Sequence, residues 1–570
     1  MIKKITNFIK RNFALIIVLT AVLGLIILPL SIIQVPKGHD IYFHMERIES
    51  LSLEMKDGNL FPRIYTTALN DYGYASPMFY GDLLLRIPAL LVITGVSVPV
   101  AYKIFLMLIA LFSVVISYFC FNSIVKNKTA AGVGAILFSL SSYFATDLFS
   151  RAAIGEAQIF IFLPVAFLGY YHIMFGDHKK WFYLPLGLFF MLQCHMLSAV
   201  IFVVLLAIFT LFYLDIIIKT PKKLLYIGVS VFVFIILSAY FLIPMLEQFS
   251  STTFIATDGT AAIKWGTLSK RSMPWWSVFC DFNYSIKTDE WIPNGVGFII
   301  IAVWTVYFII RKKFKSDISL FSIILSTILL FMTTEFFPWK YFQNTCGVMQ
   351  FPWRLLVFAV FFMTIGAIYL VKNTSNKNRI IVSLIFIIIS LLSFMMTVNG
   401  KYSIMLEKAS NNEVEPYPYN NNVGAYEYFP TGTNSSEVYS FTEIIRTNNN
   451  DIVASYNRSH GKIEVEFSGN DYFDTYIELP LIMYKGYSAI TPEGENLEVI
   501  FGDNNRVRIM LGDLQQGTFI VEYTGTVLQK ASDIISVIGF IIFFIFIIII
   551  LMRNRVINVN KLDSDSPMII

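Results

Sequence analysis

Apolar residues run in long blocks along most of the chain, separated by short polar connectors. A helix needs about 20 mostly apolar residues to cross a bilayer. Twelve blocks reach or approach that length: 13–33, 100–124, 129–147, 153–175, 181–194, 196–218, 223–246, 296–311, 318–336, 353–371, 379–397 and 534–552. A further block, 83–97, is short and carries Arg86 and Pro88, so it is not expected to span. The stretch 181–218 exceeds even a tilted span. It is broken by Gln193-Cys194-His195 and reads as a hairpin of two helices.

Between the last two blocks the apolar pattern changes from helical to alternating. Lys462–Phe467, Tyr476–Leu479, Leu497–Phe501, Arg506–Met510 and Thr518–Tyr523 alternate apolar with polar residues, with Gly, Asn and Asp between them. That pattern predicts antiparallel strands joined by turns. The segment 399–533, about 135 residues, has the size of one compact unit and is expected to be a β-sandwich. Two roles stay open for it: binding sugar or polymer, or capping the loops beside it.

Composition agrees with the blocks. The chain is 56% hydrophobic and 14% charged, against about 45–50% and 25% in soluble domains, and its 53 Phe and 31 Gly suit neither disorder nor a coiled coil. A net charge of only +4 gives no argument for nucleic acid. Cys120, Cys194, Cys280 and Cys346 lie far apart, which speaks against a zinc site or a disulfide framework.

Basic residues orient the spans, because cytoplasmic loops carry the excess of Lys and Arg. Lys3, Lys4, Lys10 and Arg11 place the N-terminus in the cytoplasm. With 83–97 not spanning, Lys126 and Lys128, Lys179 and Lys180, Lys219 and Lys222, Lys312, Lys313 and Lys315, and Lys372 and Lys377 all fall on that same side. Arg553 and Arg555 then put the C-terminus inside as well. The first block lacks a small-residue cleavage site and is expected to be retained. The outer face receives loops 34–99, 247–295 and 337–352 and the domain 399–533. The expected division is a multi-span unit over 1–398, the β-rich unit over 399–533, and a final span with its tail over 534–570.

Candidate chemistry crowds that outer face. If residues 40–56 are helical, Asp40, His44 and Arg47 share one side of the helix. A carboxylate there accepts a proton from an attacking hydroxyl, and a guanidinium grips a phosphate through paired hydrogen bonds. Plainer roles stay open: a helix N-cap for Asp40 and snorkelling for Arg47. Arg151 and Glu156 flank the start of the fourth block, where ionisable groups are costly and so point to function, although a bracing ion pair also fits. His195 sits at the hairpin apex, and Arg354 at the outer mouth of a span, where positive charge is disfavoured. Arg47, Arg151, His195 and Arg354 thus form a candidate set around one lipid-linked phosphate. Tyr65, Tyr72, Tyr74, Phe79, Tyr80, Trp265, Trp275, Trp276 and Trp291 offer faces for sugar rings or an interfacial aromatic belt. No nucleotide-binding motif is present, so neither ATP drive nor a nucleotide-sugar donor has support.

Together, Gly38-His39-Asp40 with His44 and Arg47-Ile48, Asn70-Asp-Tyr-Gly-Tyr74 with Phe79-Tyr80, Arg151-Ala-Ala-Ile-Gly-Glu156 and Gln350-Phe-Pro-Trp-Arg354 resemble the bacterial YfhO-like family. Its members are also labelled pyruvoyl-tetrahydropterin-synthase-related membrane proteins and fall within the type-C glycosyltransferase superfamily. The label implies no pterin chemistry. The resemblance covers most of the chain and implies a type-C glycosyltransferase-like fold. It implies transfer of a sugar from an undecaprenyl-phosphate donor to an envelope acceptor, such as teichoic acid, another polymer or a lipid, at a bacterial cell membrane. By match, Asp40 is the catalytic base. Arg47, Arg151, His195 and Arg354 are candidates to hold the donor phosphate, with His39, His44, Glu156 and Tyr74 in support. Relatives often carry a second acidic cluster, for which Asp258, Asp281, Asp289 and Glu290 are available without an alignable motif. Some relatives use a divalent metal, yet only one carboxylate lies near His39 and His44, so no metal site is assigned. Two other functions remain on the table: a transporter or flippase for a lipid-linked glycan, and a non-enzymatic envelope scaffold. The sequence leaves the oligomeric state open.

Overall fold

The computed structural model describes residues 2–32, 38–258, 266–279, 295–311, 316–410, 421–440, 444–459, 461–469 and 474–564. Asp281, Asp289, Glu290, Trp265, Trp291, Lys312, Lys313 and Lys315 lie outside the described residues. The principal helices are α1 (Ile2–Ile32), α2 (Ile41–Lys56), α3 (Arg86–Ile93), α4 (Val98–Val125), α5 (Lys128–Ser139), α6 (Ile154–Phe175), α7 (Tyr183–Cys194), α8 (Met196–Phe212), α9 (Lys222–Ser251), α10 (Ile299–Ile310), α11 (Asp317–Thr333), α12 (Leu356–Asn373), α13 (Asn376–Ser410) and α14 (Val527–Ser564).

Among the described residues eight helical stretches are long and apolar enough to cross a membrane, and together they make this a polytopic membrane protein. Every one of the twelve blocks falls on a helix, but four of those helices are short. At 1.5 Å per residue, the 12 residues of α7 and of α10 span about 18 Å, and the 17 of α8 and of α11 about 26 Å, against a hydrocarbon core of about 30 Å. The block 83–97 forms only a 3-10 turn and the eight-residue α3. Residues 181–218 break at His195, whose extended backbone ends α7 and begins α8.

Burial separates the spans into inner and outer ones. The α5 stretch continuing to Arg151 is wholly buried and α12 nearly so, whereas α14 keeps little of its surface covered and turns Ile534, Val537, Ile541 and Ile548 outward. Apolar residues exposed on a helix of this length face lipid, which solvates them as well as a core does.

Among the described residues nine strands precede α14: β1 (Arg446–Thr447), β2 (Val453–Ser459), β3 (Lys462–Ser468), β4 (Tyr476–Ile482), β5 (Tyr487–Ile490), β6 (Asn496–Leu497), β7 (Val499–Phe501), β8 (Arg506–Met510) and β9 (Gln516–Tyr523). They form two antiparallel sheets, ordered β1-β4-β8-β7 and β2-β3-β9-β5-β6. The alternation in the sequence explains the layering. Ile463, Val465 and Phe467 of β3 point inward with Phe519 and Val521 of β9, and meet Ile477, Leu479, Val507 and Ile509 of the other sheet in one core.

The loop that follows α2 is wedged between the helices and these sheets. Leu69, Asn70 and Asp71 hold three successive left-handed conformations, φ 58, 54 and 68. L residues take that conformation singly as a rule, so the turn needs outside support. Asn421 supplies it by accepting from Asn70 N–H at 2.9 Å and donating to its side-chain oxygen at 2.6 Å. The β4 end joins in, with Ile482 N–H donating to Tyr72 O at 2.9 Å.

Candidate functional site

The stretch that starts with α5 ends in a π-helical turn, Asp147–Arg151, closed by Ala152 at φ 55. Asp147 and Arg151 are thereby side by side, and Arg151 is forked between two elements. Its Nη1 donates to Asp147 Oδ1 at 2.9 Å and to the Tyr143 hydroxyl at 3.1 Å, and its Nη2 donates to Glu156 Oε1 at 2.8 Å. The Tyr143 hydroxyl donates to Glu156 Oε2 at 2.5 Å.

Arg354 reaches the same carboxylate from the opposite side. It follows a γ-turn at Gln350 (φ 63, ψ −45), in which Phe351 N–H donates to Met349 O at 2.7 Å. This turn type is rare and strained. Arg354 Nε donates to Glu156 Oε1 at 3.2 Å, and its Nη1 donates to Gln350 Oε1 at 2.7 Å and Met349 O at 2.9 Å. Its Nη2 has no hydrogen-bond partner among the described residues. Glu156, Arg151 and Arg354 are 2, 5 and 8% exposed, so their charges balance one another rather than being solvated by water.

Asp40 is stitched to this cluster by its backbone, N–H to Arg151 O at 3.0 Å. It occupies the N-cap position of α2, yet its side chain makes no capping bond. The capping role open to it on sequence is therefore not realised, and the carboxylate is spared for other work. Burial pushes its pKa up to about 6; Arg151 and Arg354 pull it down, while Glu156 and Glu427 push it further up.

His195 caps α8: its Nδ1 accepts from Ser198 N–H at 3.3 Å and lies 2.8 Å from the Ser198 hydroxyl. Accepting at Nδ1 leaves the ring proton on Nε2. Burial lowers its pKa to about 3, with Glu156 opposing and Arg354 and Arg151 adding to the fall, so it is a neutral donor and not a cation. Its ring stands edge-on to Tyr80, centroids 6.3 Å apart.

Arg47 does not snorkel; it is 2% exposed. Its Nη2 donates to Tyr80 O at 2.9 Å and Gly81 O at 2.8 Å, and its guanidinium lies 4.4 Å from the centre of the Tyr80 ring. Through Nη2 it positions the 80–81 segment, while its Nε is buried and makes no hydrogen bond among the described residues. That segment is packed backbone to backbone: a Cβ on Gly81 would meet Gln193 O at 2.3 Å, and one on Gly155 would meet the Tyr80 hydroxyl at 2.1 Å. His44, on the same side of α2, is buried and held neutral by that burial and by Arg47. With Arg47, Tyr80, Gln158 and Gln193 it lines a cavity of about 10 Å³, room for one water.

The structure thus brings Asp40, Arg151, Glu156, His195 and Arg354 to one place, with His44 and Arg47 directly behind. His39 is exposed, and Tyr74 meets Tyr428, whose N–H donates to the Tyr74 hydroxyl at 3.2 Å. Sequence reasoning passed over Asp147, Tyr143 and the pair Glu427 and Tyr428, and gave Gln350 no role beyond its place in the Gln350-Phe-Pro-Trp-Arg354 motif. Asp147 carried a usable signal, an acid four residues before Arg151 in an apolar block. The others carried none, since their roles depend on distant segments. Among the described residues no three His, Cys, Asp or Glu side chains are grouped to hold a metal ion.

A many-helix membrane protein with a buried Arg–Glu–Arg cluster beside an uncapped aspartate is the class defined by these features. The chain belongs to the family described as "6-pyruvoyl-tetrahydropterin synthase related domain; membrane protein", whose model matches residues 78–401. Arg151, Glu156, His195 and Arg354 fall inside that match, and Asp40, Arg47 and Glu427 outside it. The chain is also similar to an "Uncharacterized protein" of Lactococcus lactis subsp. cremoris (strain MG1363), 26% identical over 349 residues. That alignment covers 59% of this chain and 56% of the relative, so the chain spans just over half of the relative's length.

Proposed function

We propose that this protein is a type-C glycosyltransferase with twelve spans and both ends in the cytoplasm of a bacterium. It moves a sugar from an undecaprenyl-phosphate donor to an envelope acceptor on the outer face of the plasma membrane. The observation that carries this reading is Asp40: a carboxylate at a helix start that caps nothing, has a pKa near 6, and borders buried guanidinium groups. A base works best when its pKa lies close to the working pH.

In the reaction the acceptor hydroxyl gives its proton to Asp40 while its oxygen bonds to the anomeric carbon of the sugar. The bond from that carbon to the phosphate oxygen breaks, and undecaprenyl phosphate leaves with the electron pair. One displacement inverts the anomeric centre. Arg354 is the residue suited to meet the departing phosphate, through Nη2. Arg151 and Glu156 hold Arg354 in place, Arg47 fixes the wall at Tyr80, and His195 offers its Nε2–H.

The test is mass spectrometry of envelope polymers and lipid-linked sugars from cells carrying Asp40→Asn as the sole copy. Lost decoration with accumulating undecaprenyl-phosphate sugar, at normal protein level, is the expected outcome; unchanged decoration removes the base. Transport of a lipid-linked glycan is favoured by one observation, the interruptions of the helical path at Asp147–Arg151 and at His195, since transporters bind at broken helices. Vesicles that carry the lipid-linked sugar across the bilayer equally well with Asp40→Asn, and transfer nothing in either case, would establish that reading instead.

A further inference from the structure

The small cavity beside Arg47 is walled by separate parts of the chain: His44 and Arg47 of α2, the segment Tyr80-Gly81, Gln158 of α6 and Gln193 at the end of α7. Its volume of about 10 Å³ matches one water. Two of the lining side chains serve each other. Cys194 Sγ donates to Gln158 Oε1 at 3.3 Å, and Gln158 Nε2 donates to Ile154 O at 3.0 Å. Three other groups are not served. His44 Nδ1, Arg47 Nε and Gln193 Nε2 are buried and make no hydrogen bond among the described residues. Their residues are 2, 2 and 3% exposed, so bulk water does not reach them. A buried polar atom without a partner is costly, and three of them on one cavity point to a shared one.

We infer that this cavity is a binding site for one ordered water, which accepts from Arg47 Nε–H and Gln193 Nε2–H and donates to His44 Nδ1. The donor inventory selects that ligand. Guanidinium and amide nitrogens only donate, so the occupant has to accept twice, which a metal cation does not do. His44 is neutral, because burial, Arg47 and His195 all lower its pKa, and a neutral ring has one nitrogen free to accept. A small anion accepts but has no proton to give to that nitrogen. With Nδ1 accepting, the ring proton of His44 sits on Nε2, the same tautomer as in His195. The water also completes a link that the protein atoms leave open. Arg47 Nη2 ties α2 to the 80–81 carbonyls, and Gly81 packs on the backbone of Gln193. Through the water the α2 side chains reach the Gln193 side chain itself, two residues before the chain breaks at His195. The site is thus a positioning device between α2 and the hairpin, and it stands whether or not a sugar is transferred.

The experiment uses the full chain in nanodiscs, with its structure determined at a resolution that shows ordered water. A single peak within hydrogen-bond distance of His44 Nδ1, Arg47 Nε and Gln193 Nε2 is expected; no peak, or one touching fewer than two of these atoms, overturns the site. Nitrogen NMR of labelled histidine in the same sample reads the tautomer, with His44→Asn assigning the signal. The expected pattern for His44 is a bare Nδ1 and a protonated Nε2. A protonated Nδ1 overturns the water in favour of an anion, and so does a thermal midpoint that rises when gluconate is replaced by chloride or bromide. Gln193→Met keeps the length of the side chain and removes the donor, and is expected to weaken the peak and move the His44 Nδ1 resonance. An unmoved resonance and an unchanged peak in that variant also overturn the assignment. The wild-type map and tautomer decide the question even where the variant fails to fold.

Discussion

Asp40→Asn is expected to stabilise the protein while it silences transfer, and the size of that effect follows from the site. In the unfolded chain the carboxyl ionises at an ordinary value of 3.8; in the fold burial lifts it to about 6. The folded state therefore holds its proton more tightly. Stability from this group is fully present below pH 3.8, declines as the pH rises from there to about 6, and is gone above it. A tenfold difference in proton affinity is worth about 1.4 kcal/mol, so at pH 7.5 the charged Asp40 costs about 3 kcal/mol relative to a neutral residue of the same shape. Asparagine removes that cost. At about 2 cal/mol/K of unfolding entropy per residue, a chain of this length gains about 3 °C in thermal midpoint.

The assay is thermal unfolding of both proteins in the same nanodisc at pH 7.5 and at pH 5. The Asn variant is expected to lead by about 3 °C at the higher pH and by roughly half that at the lower, where the native Asp40 is largely protonated. An equal midpoint at both values, or a lead that does not depend on pH, refutes the electrostatic account and with it the poised base. A variant both more stable and inactive distinguishes strain held for chemistry from ordinary damage, because random loss of a partly buried polar group lowers stability.

The proposed rate should fall as pH drops through about 6, following protonation of Asp40, with no added step from His195, which stays neutral down to about 3; an acid limb near 4 in the pH profile would contradict this. Arg354→Lys keeps a charge but loses the fork, and is expected to weaken undecaprenyl phosphate binding by about 1.5–3 kcal/mol in titration. Glu156→Gln leaves Arg151 and Arg354 buried without their shared anion, and should cost about 3–5 kcal/mol, seen as low yield and a depressed thermal midpoint. Gly155→Ala places a methyl 2.1 Å from the Tyr80 hydroxyl and 2.7 Å from Cys194 O, and should cost about 1–3 kcal/mol in the same measurement.

What could be read from the chain divides along physical lines. The apolar blocks and the alternation of β3, β8 and β9 are local signals, and each yields the expected element. The short helices expose the limit of counting: α10 and α11 are apolar enough for a span but run only 12 and 17 residues. Side-chain employment was legible only where both partners are close in the chain, as for Arg151 and Glu156. In sequence Arg47 and Arg354 are alike in being candidates to hold a phosphate. In the fold Arg47 gives Nη2 to two carbonyls and leaves Nε without a bond among the described residues, while Arg354 gives Nε to Glu156 and leaves Nη2 without one. That difference is decided by residues 33 positions away in one case and 198 in the other, beyond any local pattern.

Charge balance explains why Asp40 is the residue left under strain. Arg151 and Arg354 make their direct ion pairs with Asp147 and Glu156. Asp40 lies beside these pairs, and its burial and the nearby carboxylates Glu156 and Glu427 outweigh the pull of the two guanidinium groups. Ionised Asp40 is thus unfavourable until a proton arrives, and an acceptor hydroxyl is the group that brings one. The same balance bears on Arg47, which stands behind Asp40 but is tied to the 80–81 carbonyls. Were Arg47 turned toward Asp40 instead, the carboxylate would be paired, its pKa would drop toward the ordinary range, and the site would lose the mismatch that makes it a base.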